Sequence, residues 1–380
     1  NMLGLLLGVA GAFLLDRHRF GFLPAAALFA LSIGTYQTNI CFAGALMATR
    51  GLVVLLSDER DNRGVFVLLC KYVFAFGAGA ALLALVSHLV LTAQGNELTD
   101  YMGLADAKLA GAHELVPRVA SAFSGYVRFL TDTSREMSVR AMPLLHAALL
   151  LISCVLFLRL ALRRFRTSKL QASLSAALFL LLPAAYYSVA LFNPRTVHML
   201  MVYSIVFTYL LPLALLEIRA SGPADDAQAS RLAVRAAGWG VVLVVACCAF
   251  LWGLYTNKGY LLLELKYENS YALLNRVVDR VERQPGYAAD VPVAFIGAPS
   301  KGGYPPSKEE YLGNFTVGMG FGNADDFGFI DDDKHIRYFI RYYLGVNFAG
   351  VGEDTLAALE HSPAVAAMPV VAAAPVLAAV

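Results

Sequence analysis

The feature that most constrains this chain is a succession of long apolar blocks joined by short loops that are alternately basic and nearly uncharged. The blocks run to about Tyr255, after which the composition becomes ordinary. A helix needs about 20 apolar residues to cross roughly 30 Å of hydrocarbon. Eight segments are read as spans: Met2–Leu15, Phe22–Gly34, Thr38–Leu56, Val65–Thr92, Ala141–Ala161, Leu170–Ala190, Val197–Ile218 and Ala236–Tyr255. The first two are short. One long helix over Phe22–Leu56 competes with this reading, but it would bury the polar cluster Thr35-Tyr36-Gln37-Thr38-Asn39 at mid-membrane, where each polar group is costly. The overall composition agrees: 58% of residues are hydrophobic and 15% charged, against about 45–50% and about 25% in ordinary soluble domains.

Lys and Arg in the short loops set the orientation. Arg17 and Arg19 follow the first span, Arg50, Arg60 and Arg63 surround the next such loop, and Arg159, Arg163, Arg164, Arg166 and Lys169 crowd the loop after the fifth span. Arg219, Arg231 and Arg235 surround the loop after the seventh. The alternate short loops hold one Arg, Arg195. The basic loops are therefore expected to be cytoplasmic, with both chain ends outside. A start outside reads as a fragment whose natural N-terminus lies upstream. The outer loop 94–140 carries charges of both signs, and its Leu115–Phe129 stretch has apolar residues at helical spacing with Arg118 and Arg128 between them. It is read as an amphipathic helix on the outer interface.

The expected fold is mainly α: a polytopic transmembrane helical bundle over 1–255, followed by a small extracytoplasmic α/β domain over 256–380. In the tail, Leu261–Gln284 has helical periodicity and stops at Pro285-Gly286, Val291–Gly297 reads as a buried strand, and Asp333–Leu344 and Glu353–Glu360 read as helices. Val370–Ala373 is expected to be a strand within a terminal stretch broken by Pro369 and Pro375.

A net charge of +2 gives no electrostatic footprint for nucleic acid. The five cysteines all sit in apolar blocks without metal-ligand spacing, as small buried hydrophobes do. No Walker A spacing is present, and Gly297–Gly303 is Gly-rich without it. No cofactor is identified; a divalent metal is compatible with the chemistry, but no motif indicates one.

Polar groups at the outer ends of the spans are the candidate site residues. Tyr36, Gln37 and Asn39 read either as a polar rim to a cleft or as a helix-start turn with an interfacial Tyr. Arg195, in Asn193-Pro194-Arg195-Thr196-Val197-His198, can fork two charge-assisted hydrogen bonds onto a phosphate. The alternative is an Arg snorkelling to lipid head groups. His198 reads as a sugar or phosphate partner or as a packing histidine. Asp100 and Tyr101 pair a carboxylate and a ring beside Gly103, which suits sugar binding.

Several stretches, in order, resemble the GtrII-type bacterial O-antigen glucosyltransferases. They are Ser32-Ile33-Gly34-Thr35-Tyr36-Gln37-Thr38, Leu98-Thr99-Asp100-Tyr101-Met102-Gly103-Leu104, Tyr267–Arg283 with the ending Arg280–Tyr287, Val293–Gly297, and Met368-Pro369 followed by Pro375. The resemblance implies a GT-C type membrane glycosyltransferase of the bacterial inner membrane. Such an enzyme moves a sugar, usually glucose here, from a polyprenyl-phosphate donor to a lipopolysaccharide glycan on the periplasmic face. It implies a general base on an acidic residue in a first outer loop, upstream of this sequence, so no catalytic carboxylate is assigned. A transporter or flippase of a lipid-linked sugar is the alternative function.

Overall fold

The computed structural model of the chain describes residues 2–18, 20–57, 60–95, 112–136, 141–192, 197, 201–221, 228–296 and 333–367. They form two compact units, one of residues 1–135 and 139–250 and one of residues 136–138 and 251–380.

The first unit is helical. It contains α1 (Met2–Arg17), α2 (Phe22–Thr35), α3 (Asn39–Leu56), α4 (Asn62–Gln94), α5 (Ala112–Glu136), α6 (Ala141–Thr167), α7 (Lys169–Tyr186), the short α8 (Val189–Phe192) and α9 (Phe207–Ser221). A 3-10 turn over Tyr203–Val206 leads into α9. α10 (Gln228–Glu282) begins in this unit and continues into the second. The turn at Tyr36–Thr38 breaks the chain between α2 and α3, so the single long helix is not formed. Local chemistry sets the other boundaries. The Asp61 carboxylate accepts the Gly64 amide at 2.8 Å to open α4, and Gly95, at φ 66°, closes it. The Ser168 hydroxyl accepts the Gln171 amide to open α7.

Among the described residues, five helices are long and apolar enough to cross a membrane: α3, α4, α6, α7 and the Arg235–Leu261 part of α10. Of the eight expected spans these five reach membrane length among the described residues, where α1, α2 and α9 have 16, 14 and 15 residues. At about 1.5 Å per residue α2, with 14 residues, is shorter than roughly 30 Å of hydrocarbon. The long helices are not equally enclosed. Of the most apolar window, 61% is buried inside the molecule in α3 but 11% in α4, which makes α3 the central helix. Its Met47, Val54 and Leu55 share one core with Leu15, Phe29, Leu68 and Tyr72 of the neighbouring helices. α2 and α4 meet backbone to backbone: a Cβ on Gly79 would lie 2.9 Å from the Ala26 carbonyl and 2.8 Å from the Phe29 Cβ. Outward-facing Leu6, Phe13, Phe66, Phe74, Leu144, Leu151 and Leu180 remain exposed, as on a surface made for lipid rather than water.

The second unit corrects the expected α/β tail. It holds the end of α10, α11 (Asp333–Phe339) continuing into a π turn (Ile340–Leu344), α12 (Glu353–Glu360) and α13 (Pro363–Ala366), and its described residues contain no strand. Leu261–Gln284 is not a separate helix but the continuation of α10. Val291–Ile296 makes only one isolated bridge, Pro292 with Ala349. The reason lies in where its hydrogen bonds go. Val293 donates to the Ala349 carbonyl at 2.9 Å. The Arg337 guanidinium donates to the carbonyls of Val293 and Ala349, and the Asp333 carboxylate accepts the Phe295 amide at 3.0 Å. Side chains of α11 thus satisfy groups that a neighbouring strand would have paired. Leu274, Val278, Ile336, Phe339, Ile340 and Phe348 form the core beneath. The expected strand at Val370–Ala373 lies outside the described residues.

Candidate functional site

The two ends of the first unit differ in chemistry. At one end the charged loops are knitted together. Asp16 of α1 accepts from Arg50 Nε and Nη2 at 3.0 and 2.8 Å and from Arg60 Nη2 at 3.2 Å. Arg164 donates to the Gln171 amide oxygen, and the Gln171 amide reaches the Arg60 carbonyl at 3.4 Å. Ser168 bonds Asn62 at 3.0 Å. The basic residues read from the sequence as one side of a membrane therefore serve as ties between helix ends as well.

The opposite end is built from hydroxyls, carbonyls and aromatic rings, with α5 laid across it. The apolar face of α5 is covered by protein: Ala122, Tyr126, Phe129 and Leu130 are buried, and Val119 and Phe123 pack with Ala184, Ala190, Tyr187 and Leu191. This differs from an apolar face turned wholly to lipid. A Cβ on Gly125 would run into the Tyr187 ring, so only glycine admits this close approach. Arg118 donates to the Leu191 carbonyl at 2.8 Å and pairs with Glu114 at 2.6 Å, which ties α5 to α8 just before the Arg195 loop. Tyr126 Oη and Thr208 Oγ1 lie 3.1 Å apart. Burial pushes the Tyr126 phenol up to about 12, with the Thr208 hydrogen bond opposing. Burial also raises Tyr187, against the nearby Arg128 guanidinium.

Beneath α5, His146 of α6 places Nδ1 2.9 Å from the Leu130 carbonyl and Nε2 2.8 Å from Tyr209 Oη. A carbonyl only accepts, so Nδ1 carries the proton and Nε2 accepts from the phenol. Both ring nitrogens are thereby engaged in holding α5, α6 and α9 together. Thr49 gives its proton to the Ala45 carbonyl at 2.8 Å, so Tyr186 Oη donates to Thr49 Oγ1 across 3.0 Å. Ser204 bonds the Tyr186 carbonyl at 2.8 Å.

Of the residues singled out in the sequence, Tyr36, Gln37 and Asn39 stand at this end, in the turn between α2 and α3. Gln37 is exposed, Tyr36 half-buried and Asn39 fully buried. The Asn39 amide donates to the Ser32 carbonyl at 2.9 Å and to Thr35 Oγ1 at 3.1 Å, and Ser32 Oγ donates to the Gly4 carbonyl at 2.6 Å. That network fastens α1, α2 and α3, which favours the turn-forming reading of Asn39. Its Oδ1, with Thr38 Oγ1, is buried without a hydrogen-bond partner among the described residues. Arg195, His198, Asp100 and Tyr101 lie outside the described residues.

Phe123, Ser124, Val127, Arg128 and Thr131 line one open face of α5. It offers a cation, two hydroxyls and two apolar side chains, a set that matches an amphiphile with an anionic head. The 3.6-residue period of α5 alone places these groups together, so the sequence already carried this face. No cluster of His, Cys, Asp and Glu able to hold a metal occurs among the described residues.

No curated protein and no solved structure matches the chain. The family described as glucosyl transferase GtrII matches residues 1–209, which contain every helix that builds this end except the later part of α9. A helical molecule with several membrane-length apolar helices, matched over more than half its length, this chain belongs to the GtrII glucosyl transferase family.

Proposed function

We propose that the chain is part of a membrane glycosyltransferase that takes glucose from a polyprenyl-phosphate donor and passes it to an O-antigen or lipopolysaccharide glycan at the periplasmic face of the bacterial inner membrane. The observation that carries this reading is the family match together with the polarity of the bundle. The basic, ion-paired end fits the cytoplasmic side by the positive-inside rule. The α5 end then faces outward with Tyr36, Gln37, Asn39 and Arg128. Arg195 and Arg128 are assigned to the donor phosphate, and Asp100, Tyr101 and His198 to the sugar.

Departure of the lipid phosphate builds negative charge on the leaving oxygen, which a guanidinium fork stabilises more in the transition state than before it. Apolar walls such as Phe123 and Val127 would take the first isoprene units. The test uses membranes containing the full natural protein, labelled polyprenyl-phosphate glucose and O-antigen acceptor. Arg195→Ala and Arg128→Ala are each expected to lower kcat/KM for the donor by about tenfold or more, equivalent to about 1.4 kcal/mol. Unchanged kinetics in both removes the phosphate assignment. Movement of labelled lipid-linked sugar across the membrane without any transfer overturns the reaction itself, in favour of a flippase.

A further inference from the structure

At the Asp16 end of the bundle, α6 carries arginines that the protein leaves unpaired. From Arg159 to Lys169 the sequence holds five cations, Arg159, Arg163, Arg164, Arg166 and Lys169, and no acid. Each residue adds about 100° around a helix, so Arg159, Arg163 and Arg166 fall within an arc of about 60°. Arg164 lies on the opposite side, where it is buried and its Nε donates to the Gln171 amide oxygen at 2.8 Å. The three that share a face are exposed, and none makes an ion pair or a hydrogen bond with a described residue. Arg50 and Arg60, at the same end, are by contrast held by Asp16. Like charges spaced i,i+3 and i,i+4 repel one another, so this face of α6 lacks an anion that would relieve them.

The rest of the face says which kind of anion fits. Leu144, Leu151, Val155, Leu158 and Leu162 form an exposed apolar stripe along α6 that adjoins the arginine arc. α6 is of membrane length and apolar enough to span. Counted from Ala141, where α6 begins, roughly 30 Å of hydrocarbon ends after about 20 residues, close to Ala161. Arg163 and Arg166 then stand about 3 and 8 Å beyond that boundary, and the polar layer is itself about 5–8 Å deep. Arg159 stands about 3 Å inside it. Side chains lean toward the N-terminus of their helix, which here turns Arg163 and Arg166 back toward the lipid phosphates. Lys169 lies 5.8 Å over the Phe165 ring, at the far edge of the stripe, and brings a fourth cation to the same end. A free anion would use the guanidinium groups alone. A molecule with a phosphodiester head and acyl tails uses the arginines and the stripe together.

We propose that this face of α6 binds an anionic glycerophospholipid of the surrounding bilayer. Its phosphate sits between Arg163 and Arg166, Arg159 lies beneath it, and an acyl chain follows Leu158 and Leu162. The site is at the end of the bundle away from α5 and stands apart from the transfer reaction. The test reconstitutes the full chain in phosphatidylcholine vesicles, with Trp239→Phe and Trp252→Phe and with Leu162→Trp as the reporter. Brominated phosphatidylglycerol, at about a tenth of the lipid, should quench the reporter about threefold more strongly than brominated phosphatidylcholine at the same fraction, as expected where several arginines meet an anionic headgroup. Arg159→Gln, Arg163→Gln and Arg166→Gln combined should abolish that preference, while Arg163→Lys with Arg166→Lys should keep part of it, since the charge remains but the fork is lost. Should the triple variant fail to fold, Arg163→Gln and Arg166→Gln taken singly should each lower the preference about twofold. Equal quenching by the two lipids overturns the proposal, and so does a preference that the glutamine variants leave unchanged. Loss of the preference on adding inorganic phosphate at constant ionic strength would make this a free-anion site instead. Displacement of the brominated lipid by about a hundredth as much polyprenyl phosphate would make it a donor-lipid site, and either result overturns the assignment. A reporter left unquenched when all the phosphatidylcholine is brominated removes the site together with the reading that α6 is in lipid as far as Leu162.

Discussion

Replacing Asp16 by Asn is expected to cost the first unit roughly 2–4 kcal/mol. The Asp16 side chain is 15% exposed and accepts from two arginines, which are themselves 31% and 34% exposed. At an effective dielectric of about 20, a pair of unit charges 4 Å apart interacts by about 4 kcal/mol before desolvation and side-chain ordering are subtracted. A hydrogen bond to a charged group retains about 1.5–3 kcal/mol net. Asparagine keeps one carbonyl acceptor, so part of the bonding survives, but the charge that offsets Arg50 and Arg60 is gone. Water at the half-exposed arginines screens what remains, which puts the loss at the range given. The assay is unfolding of the purified chain by dodecyl sulfate titration from mixed micelles, followed by helical circular dichroism. Asp16→Asn combined with Arg50→Gln should cost less than the sum of the singles, with a coupling of about 1–2 kcal/mol. A single-variant loss below about 0.5 kcal/mol, the usual range of an inconsequential surface change, or strict additivity in the double variant, would refute the idea that this cluster ties the helix ends.

Two further changes probe packing and backbone satisfaction. Gly79→Ala should destabilise by about 1–3 kcal/mol in the same titration, because its Cβ meets the Ala26 carbonyl and Phe29. Gly77→Ala, one turn-half away with nothing within 4 Å of its Cβ, should be neutral or slightly stabilising. Equal effects would remove the close α2–α4 contact as the cause. In the second unit, Arg337→Ala strips partners from the Val293 and Ala349 carbonyls and from Asp333, at a cost of about 2–4 kcal/mol. Amide exchange at Val293 and Phe295 should accelerate selectively, and unchanged protection there would mean that the side chains of α11 do not hold this segment.

Much of the helical frame was readable because its signals are local. The Phe22, Asn39 and Ala141 helix starts follow from apolar runs that end at polar turns, and Glu353–Glu360 forms where an acidic first turn precedes Leu356 and Leu359. The stop at Pro285-Gly286 also holds, since α10 ends at Glu282 and Gly286 takes a φ of 83°. The continuity of α10 was not readable in the same way. Thr256-Asn257-Lys258-Gly259 has the composition of a linker, yet none of the four residues forbids a helix, and a Gly or Asn costs at most about 1 kcal/mol there. The apparent strand at Val291–Gly297 misled because its pattern is right for a strand while its partners are an arginine and an aspartate some forty residues away. The candidate site shows the same division. Tyr36, Gln37 and Asn39 announced themselves as a polar interruption, and the structure makes Asn39 a tie between helices. The Tyr126–Thr208 pair and the Thr49–Tyr186 pair, the latter 137 residues apart, depend on which helices become neighbours. No local period encodes that.

The contrast between the two ends of the bundle has a kinetic side. Charge-assisted bonds at the Asp16 end hold about 1.5–3 kcal/mol each, and the neutral hydroxyl and carbonyl bonds around Tyr126, Tyr186 and His146 about 0.5–1.5. Openings that break the weaker set are then more frequent, by about tenfold for each 1.4 kcal/mol of difference. Breathing of the bundle is accordingly lopsided. The neutral bonds around Tyr126, Tyr186 and His146 open first, while Arg118 still holds α5 to α8 and the arginines still hold Asp16. For the lipid-linked donor proposed above, such motion would give a way in from the side as neighbouring helices part. The Asp16 end, clamped by its ion pairs, stays closed while the other end opens.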